Sequence, residues 1–165
     1  SATLAKIVET CADKLVDLEQ EILQKIAKAR VKHADETGFR VAGKTCWLHV
    51  CSTPSLTYYF VSPKRKALLD GLMGTLVHDH WKPYFQLKNA SHALCNQHHL
   101  RELKALIEHE KEPWARDMHR FLRFALRIRH SYQEREIEEP KRQRLLDLYD
   151  KIVEAGLRYH EALPP

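Results

Sequence analysis

No apolar run in this sequence approaches the ~18 residues that a membrane-spanning helix needs, so no segment reads as a transmembrane span. Nor do a basic start, an apolar middle and a small-residue cleavage site follow one another anywhere, which leaves no secretory signal to read. Cysteine is sparse. Cys11, Cys46, Cys51 and Cys95 form no close CxxC pair, and a chain of 165 residues can bury roughly two-thirds of its unfolded surface in one core without disulfide staples. A reducing cytoplasm is the expected setting. Internal repeats and low-complexity segments are also lacking.

What is present is ordinary for a soluble globular protein, with 44% hydrophobic and 30% charged residues. A net charge of +5 and a pI near 9.0 favour an anionic partner, of which nucleic acid is the commonest. The eleven histidines concentrate between His78 and His119, which directs attention to metal or phosphate chemistry.

Along the chain, Leu4, Val8, Cys11, Leu15, Leu18, Ile22 and Ile26 are spaced by alternating fours and threes until a final four. That is the seam of one long helix ending near Ala29, an N-terminal element over residues 1–30. Its apolar side docks along its own domain or a preceding segment, or else pairs with a second copy. Between Val31 and Val61 the β-branched and aromatic content rises. Val31–Val41, Thr45–Cys51 and Leu56–Val61 read as an antiparallel meander with turns at Ala42-Gly43-Lys44 and Ser52-Thr53-Pro54-Ser55. A short helix is predicted over Lys64–Leu72, then a strand at Thr75–His78 paired parallel with an earlier one, and one more strand at Ala93–Cys95. From His98 onward the apolar stripes are helical, the last two separated by the charged stretch Gln133–Arg144. The expected fold class is α/β: a ribonuclease-H-like mixed sheet, three strands antiparallel and one or two parallel, with flanking helices and a C-terminal helical segment. Residues 31–110 would form the core and residues 111–165 the helical segment.

Two carboxylates stand out. Asp35 lies within the first predicted strand and Asp79 ends the fourth, directly after Leu76-Val77-His78. If these strands are neighbours, two hard oxygen ligands converge at one end of the sheet and suit Mg²⁺ or Mn²⁺ in phosphoryl transfer. Spacing alone equally allows Asp35 to start a turn and Asp79 to cap the next helix. Glu36 falls on the opposite face of the strand and is not expected to be a ligand.

The block His33-Ala34-Asp35-Glu36-Thr37-Gly38, followed by Trp47 and Ser52-Thr53-Pro54, resembles the start of the catalytic domain in the insertion-sequence-66 family of transposases. The resemblance continues in order through Lys64-Arg65, then Gly74-Thr75-Leu76-Val77-His78-Asp79 with Tyr84, and then Cys95-Asn96-Gln97-His98-His99-Leu100-Arg101-Glu102-Leu103. It is dense from Val31 to Leu106 and loose on the flanks. It implies a ribonuclease-H-like fold, a DDE triad with Asp35 and Asp79 as the first two acids, two divalent metal ions, and DNA, both transposon ends and target, as substrate. It further implies a bacterial, nucleoid-associated protein that forms a homo-oligomer at full length, with no membrane partner. The family's third acid is a glutamate in a downstream Asn-rich block, so this chain reads as a core fragment truncated before it and inactive alone. Glu102 is the internal candidate. Where the family commonly has Asp-Gly-Tyr, this chain has Asp79-His80-Trp81, and Trp81 could fill the space glycine leaves for a phosphate backbone.

Cys95-x2-His98, with His99 and His92 nearby, has zinc-ligand types but no second pair at suitable spacing. Zinc is therefore not expected, and a packed Cys95 with a helix-starting or phosphate-facing His98 is the preferred reading. Arg116, Arg120, Arg123 and Arg127 share one helical face. They are either the wet side of that helix, partly neutralised by Glu134, Glu136, Glu138 and Glu139, or a phosphate-contacting stripe. Lys64, Arg65, Tyr84, His98 and Arg101 join it as candidate DNA contacts. The expected activity is metal-dependent nicking of DNA ends and strand transfer. The rivals are a non-catalytic DNA-binding or assembly module and a ribonuclease-H-like nuclease without strand transfer.

Overall fold

The computed structural model describes residues 2–67, 69–133 and 135–163. Strands Val31–Val41 (β1), Lys44–Ser52 (β2), Thr57–Ser62 (β3), Gly74–His78 (β4) and Ala90–Leu94 (β5) form one sheet in the order β3-β2-β1-β4-β5. The first three are antiparallel, whereas β1–β4 and β4–β5 are parallel. This is the mixed α/β sheet expected, with each meander strand within about a residue of its predicted bounds. Ala42 and Gly43 both take positive φ, 48° and 78°, the combination that a tight two-residue hairpin requires. At the next turn, Thr53 Oγ1 accepts from the amides of Leu56 (3.1 Å) and Ser55 (3.4 Å).

The helix predicted over Lys64–Leu72 does not form. Among the described residues of that stretch, Leu68 lying outside them, there is a single turn in which the Ala67 amide donates to the Lys64 carbonyl (3.2 Å). So short a run repays helix nucleation poorly, and its side chains are claimed individually: Arg65 by Glu36, Leu69 and Leu72 by the core. The strand expected at Ala93–Cys95 starts earlier, at Ala90.

Helix α1, Ala2–Lys28, reaches the sheet through its last turns. Ile22, Ile26 and Ala27 pack with Cys51, Leu72, Leu76, Tyr84 and Ala90, while Leu4, Val8, Leu15 and Leu18 on the same seam stay exposed. The junction from α1 to β1 is tight. Lys32 is fully buried, and its Nζ donates to the carbonyls of Ala29 (2.9 Å) and Met73. Desolvation holds that ammonium below the usual lysine range. Gly74, at φ 73°, lies so close that an added Cβ would sit 2.7 Å from the Arg30 carbonyl oxygen.

The chain divides into two compact units, the first running to Cys95 and the second starting at Asn96. The second contains α2 (Asn96–Ala105), a π-helical turn (Leu106–Glu110), α3 (Pro113–Ser131) and α4 (Glu139–Glu161). Leu103, Ala115, Met118 and Phe121 form its core, with Trp114, Leu145 and Ile152 packed around them. Gly156 lets α4 approach Trp114, whose Cδ2 would be 3.1 Å from a Cβ placed there.

Candidate functional site

The β1–β4 ladder pairs Val31 with Thr75, Lys32 with Leu76 and His33 with Val77. Asp35 and Asp79 each lie two positions beyond the last pair, in phase with His33 and Val77 and out of phase with buried Lys32, Leu76 and His78. Adjacent strands lie about 4.8 Å apart; Asp35 lies within β1, and Asp79 is the first residue past the end of β4. Asp35 is exposed and Asp79 partly so. Each engages one oxygen locally: Asp35 Oδ1 accepts from the Glu36 amide (2.9 Å) and Asp79 Oδ1 from the Trp81 amide (2.9 Å). Asp79 thus ties the chain just before the 3₁₀ turn Lys82–Gln86, whose N-cap is Trp81 and which has no side-chain cap, while its second oxygen makes no hydrogen bond or ion pair among the described residues. The same holds for Asp35. Two hard oxygen donors with a free lone-pair set each fit a divalent ion as part of its shell. Among the described residues, no group of three His, Cys, Asp or Glu side chains forms a complete ligand cluster.

On the other face of β1, Glu36 is the buried acid, its side chain 1% exposed. Arg65 grips it through Nε (2.9 Å) and Nη2 (2.8 Å), and the Tyr84 hydroxyl donates to its other oxygen at 2.5 Å. The Arg65 guanidinium lies over the rings of Trp81 (4.2 Å) and Trp47 (4.9 Å). Burial first, then Glu36, raises the Tyr84 phenol far above its usual range, with Asp35 and Asp79 adding to the effect. Trp81 therefore packs inward on Arg65. Tyr84, expected as a DNA contact, is 2% exposed and its hydroxyl is engaged within the protein. The sequence reading assigned Glu36 to the opposite face but missed its partners. The available signal was a carboxylate in phase with buried positions of a strand, which calls for a cation.

His78, beside Asp79, is fully buried and stacks on Tyr84 at 4.8 Å. Its Nδ1 lies 2.5 Å from the Asp79 carbonyl, and since a carbonyl only accepts, Nδ1 carries the proton. In the neutral ring, Nε2 then accepts from His92 Nδ1 at 2.9 Å. Desolvation, with a smaller push from His92, lowers the His78 pKa.

The remaining candidates are dispersed. Lys64 is exposed after β3, with its amide on Ser62 Oγ (3.0 Å). Cys95 is half-buried, its amide donating to the His78 carbonyl (2.8 Å). His98 and Arg101 lie on α2; His98 Nδ1 is buried without a hydrogen-bond partner, and Arg101 is exposed, as is Glu102. Arg116, Arg120, Arg123 and Arg127 are all exposed along α3. Of the acids expected to neutralise them, Glu139 is paired with Arg142 at 2.7 Å, and Glu134 lies outside the described residues.

The sequence profile of the family described as "Transposase IS66 family" matches residues 1–162. No curated protein and no solved structure matches the chain.

Proposed function

Because the chain belongs to the IS66 family of transposases, we propose that Asp35 and Asp79 are two of the acids that bind divalent metal for DNA end nicking and strand transfer. The observation that supports this reading is the parallel β1–β4 register, in which Asp35 and Asp79 each lie two positions beyond the last pair, His33 with Val77. A bound Mg²⁺ or Mn²⁺ would supply activation of the attacking oxygen and charge neutralisation at the leaving one. The protein's own part is positioning. The amides of Glu36 and Trp81 hold one oxygen of each carboxylate and so fix which lone pairs face outward. The exposed arginines of α3, with Lys64 and Arg101, contribute phosphate contacts that carry no sequence information.

Reactions of this kind depend mainly on geometry and charge, so removing one acid separates chemistry from binding. Asp35→Asn in the transposase as encoded, assayed on DNA bearing its element's ends, is expected to retain end binding and lose strand transfer. Retained strand transfer would sink the assignment. The second reading, a DNA-binding or assembly module with structural carboxylates, draws on the local amide bonds that Asp35 and Asp79 accept. It requires salt-sensitive DNA binding indifferent to Mg²⁺, whereas the catalytic reading requires metal dependence.

A further inference from the structure

The β1–β4 ladder ends too early to hold the two aspartates. Its last paired residues are His33 and Val77, and Asp35 and Asp79 both lie two positions beyond. Past that point β1 continues along β2, while the chain after His78 leaves the sheet and enters the turn Lys82–Gln86. A second tie spans the gap. The Tyr84 hydroxyl reaches from that turn to Glu36, the residue after Asp35. Arg65 closes the other side of Glu36 and is stacked on Trp81, whose amide is bonded to Asp79.

We infer that Tyr84, Glu36 and Arg65 form a positioning brace that sets the separation of the Asp35 and Asp79 carboxylates for metal binding; the inference rests on the metal reading above. The Tyr84–Glu36 bond runs directly between the segments carrying the two aspartates, and Arg65, from the crossover between β3 and β4, joins them indirectly through Glu36 and Trp81. Glu36 is one peptide from Asp35, and its amide is itself the donor to Asp35 Oδ1, so a shift of β1 at Glu36 moves that carboxylate directly. Trp81 conveys Arg65 to Asp79 in the same way. One oxygen of the Glu36 carboxylate accepts from Arg65 Nε with Nη2 close by, and the other accepts from the Tyr84 phenol, a directional arrangement that a lysine point charge does not reproduce. Trp81 thus acts as a wall for the arginine. None of these residues touches DNA or metal in this role; they act through the two aspartates.

The test uses the transposase as encoded and Mn²⁺ alone, with affinity read from water-proton relaxation and folding from the thermal midpoint. Asp35→Asn and Asp79→Asn should each abolish the site. Tyr84→Phe, which deletes one oxygen, should weaken Mn²⁺ about tenfold at temperatures where the variant is fully folded, the range seen when outer partners of metal ligands are removed. Arg65→Lys should weaken it similarly despite keeping the charge, and Tyr84→Phe combined with Glu36→Gln should lose less than the two single losses together. Unchanged affinity in Tyr84→Phe beside abolished binding in Asp35→Asn overturns the brace and leaves the metal site standing. An affinity loss that merely follows unfolding and recovers on cooling also overturns it. Equal Mn²⁺ affinity in the aspartate variants and the unaltered chain overturns the metal reading itself, and the brace with it.

Discussion

His49 lies buried on β2, stacked on Phe60 with ring centroids 4.5 Å apart, and its Nε2 has no hydrogen-bond partner among the described residues. Desolvation holds its pKa below the ordinary histidine value, against smaller opposing effects from the Lys64 backbone and Glu36. The consequence has a definite sign. Below a pH of about 6.5 the unfolded chain takes up a proton that the folded ring refuses, so stability falls as pH falls from there until the lowered folded value is reached. His49→Phe, which keeps the stacking, is expected to flatten the decline of the thermal midpoint between about pH 7 and 5; an unaltered slope would show that burial there is not what the proton opposes. The neighbouring pair Asp35 and Glu36 shows what a single sequence can tell at this scale. Alternation separated them onto opposite faces, but Glu36's partners come from Arg65 and Tyr84, and no local pattern announces a contact closed through a crossover.

Elements were most legible where periodicity was strong. The seam of α1 and the meander strands were readable because each repeats its apolar phase over many residues. β5 was clipped because Ala90-Ser91-His92 has no β-branched, Tyr, Phe or Trp side chain to mark a strand, and the stretch after Pro63 looked helical because its composition hid its tertiary anchors. β4 depends on a backbone feature that composition does not reveal. Gly74 sits in the left-handed region with two carbonyl oxygens, of Ala29 and Arg30, within 2.8 Å of where a Cβ would be. Gly71 has nearly the same φ, 72°, with nothing within 4 Å. Gly71→Ala should therefore cost only the backbone term of about 1–3 kcal/mol, and Gly74→Ala distinctly more, read as a shift in denaturant midpoint. Equal costs would mean that the α1–β1 junction yields freely.

For the whole molecule, the charge excess becomes testable through α3. If Arg123 and Arg127 contact phosphates, each replacement by alanine should reduce the slope of log affinity for DNA against log salt by about one, with little change in sequence preference. Slopes unchanged in both variants would reduce the stripe to a solvated helix face. The family was legible in four ordered blocks of residues. Parallel pairing of the fourth strand was expected from its crossover, but its partner β1 and the register became visible only in the folded sheet. That topology also imposes an order of assembly. On one edge β1 meets β2 across a two-residue turn, but its other edge waits for β4, which lies beyond the whole crossover. During synthesis from the N-terminus, the hairpin side can form while the opposite edge and the inner face are still uncovered, since Leu72, Leu76, Tyr84 and Ala90 have yet to emerge. Asp35 is then in place long before Asp79. The newborn chain passes through a stage with an open sheet edge, prone to pairing with another chain, and the segment that brings in Asp79 is the one that ends this exposure.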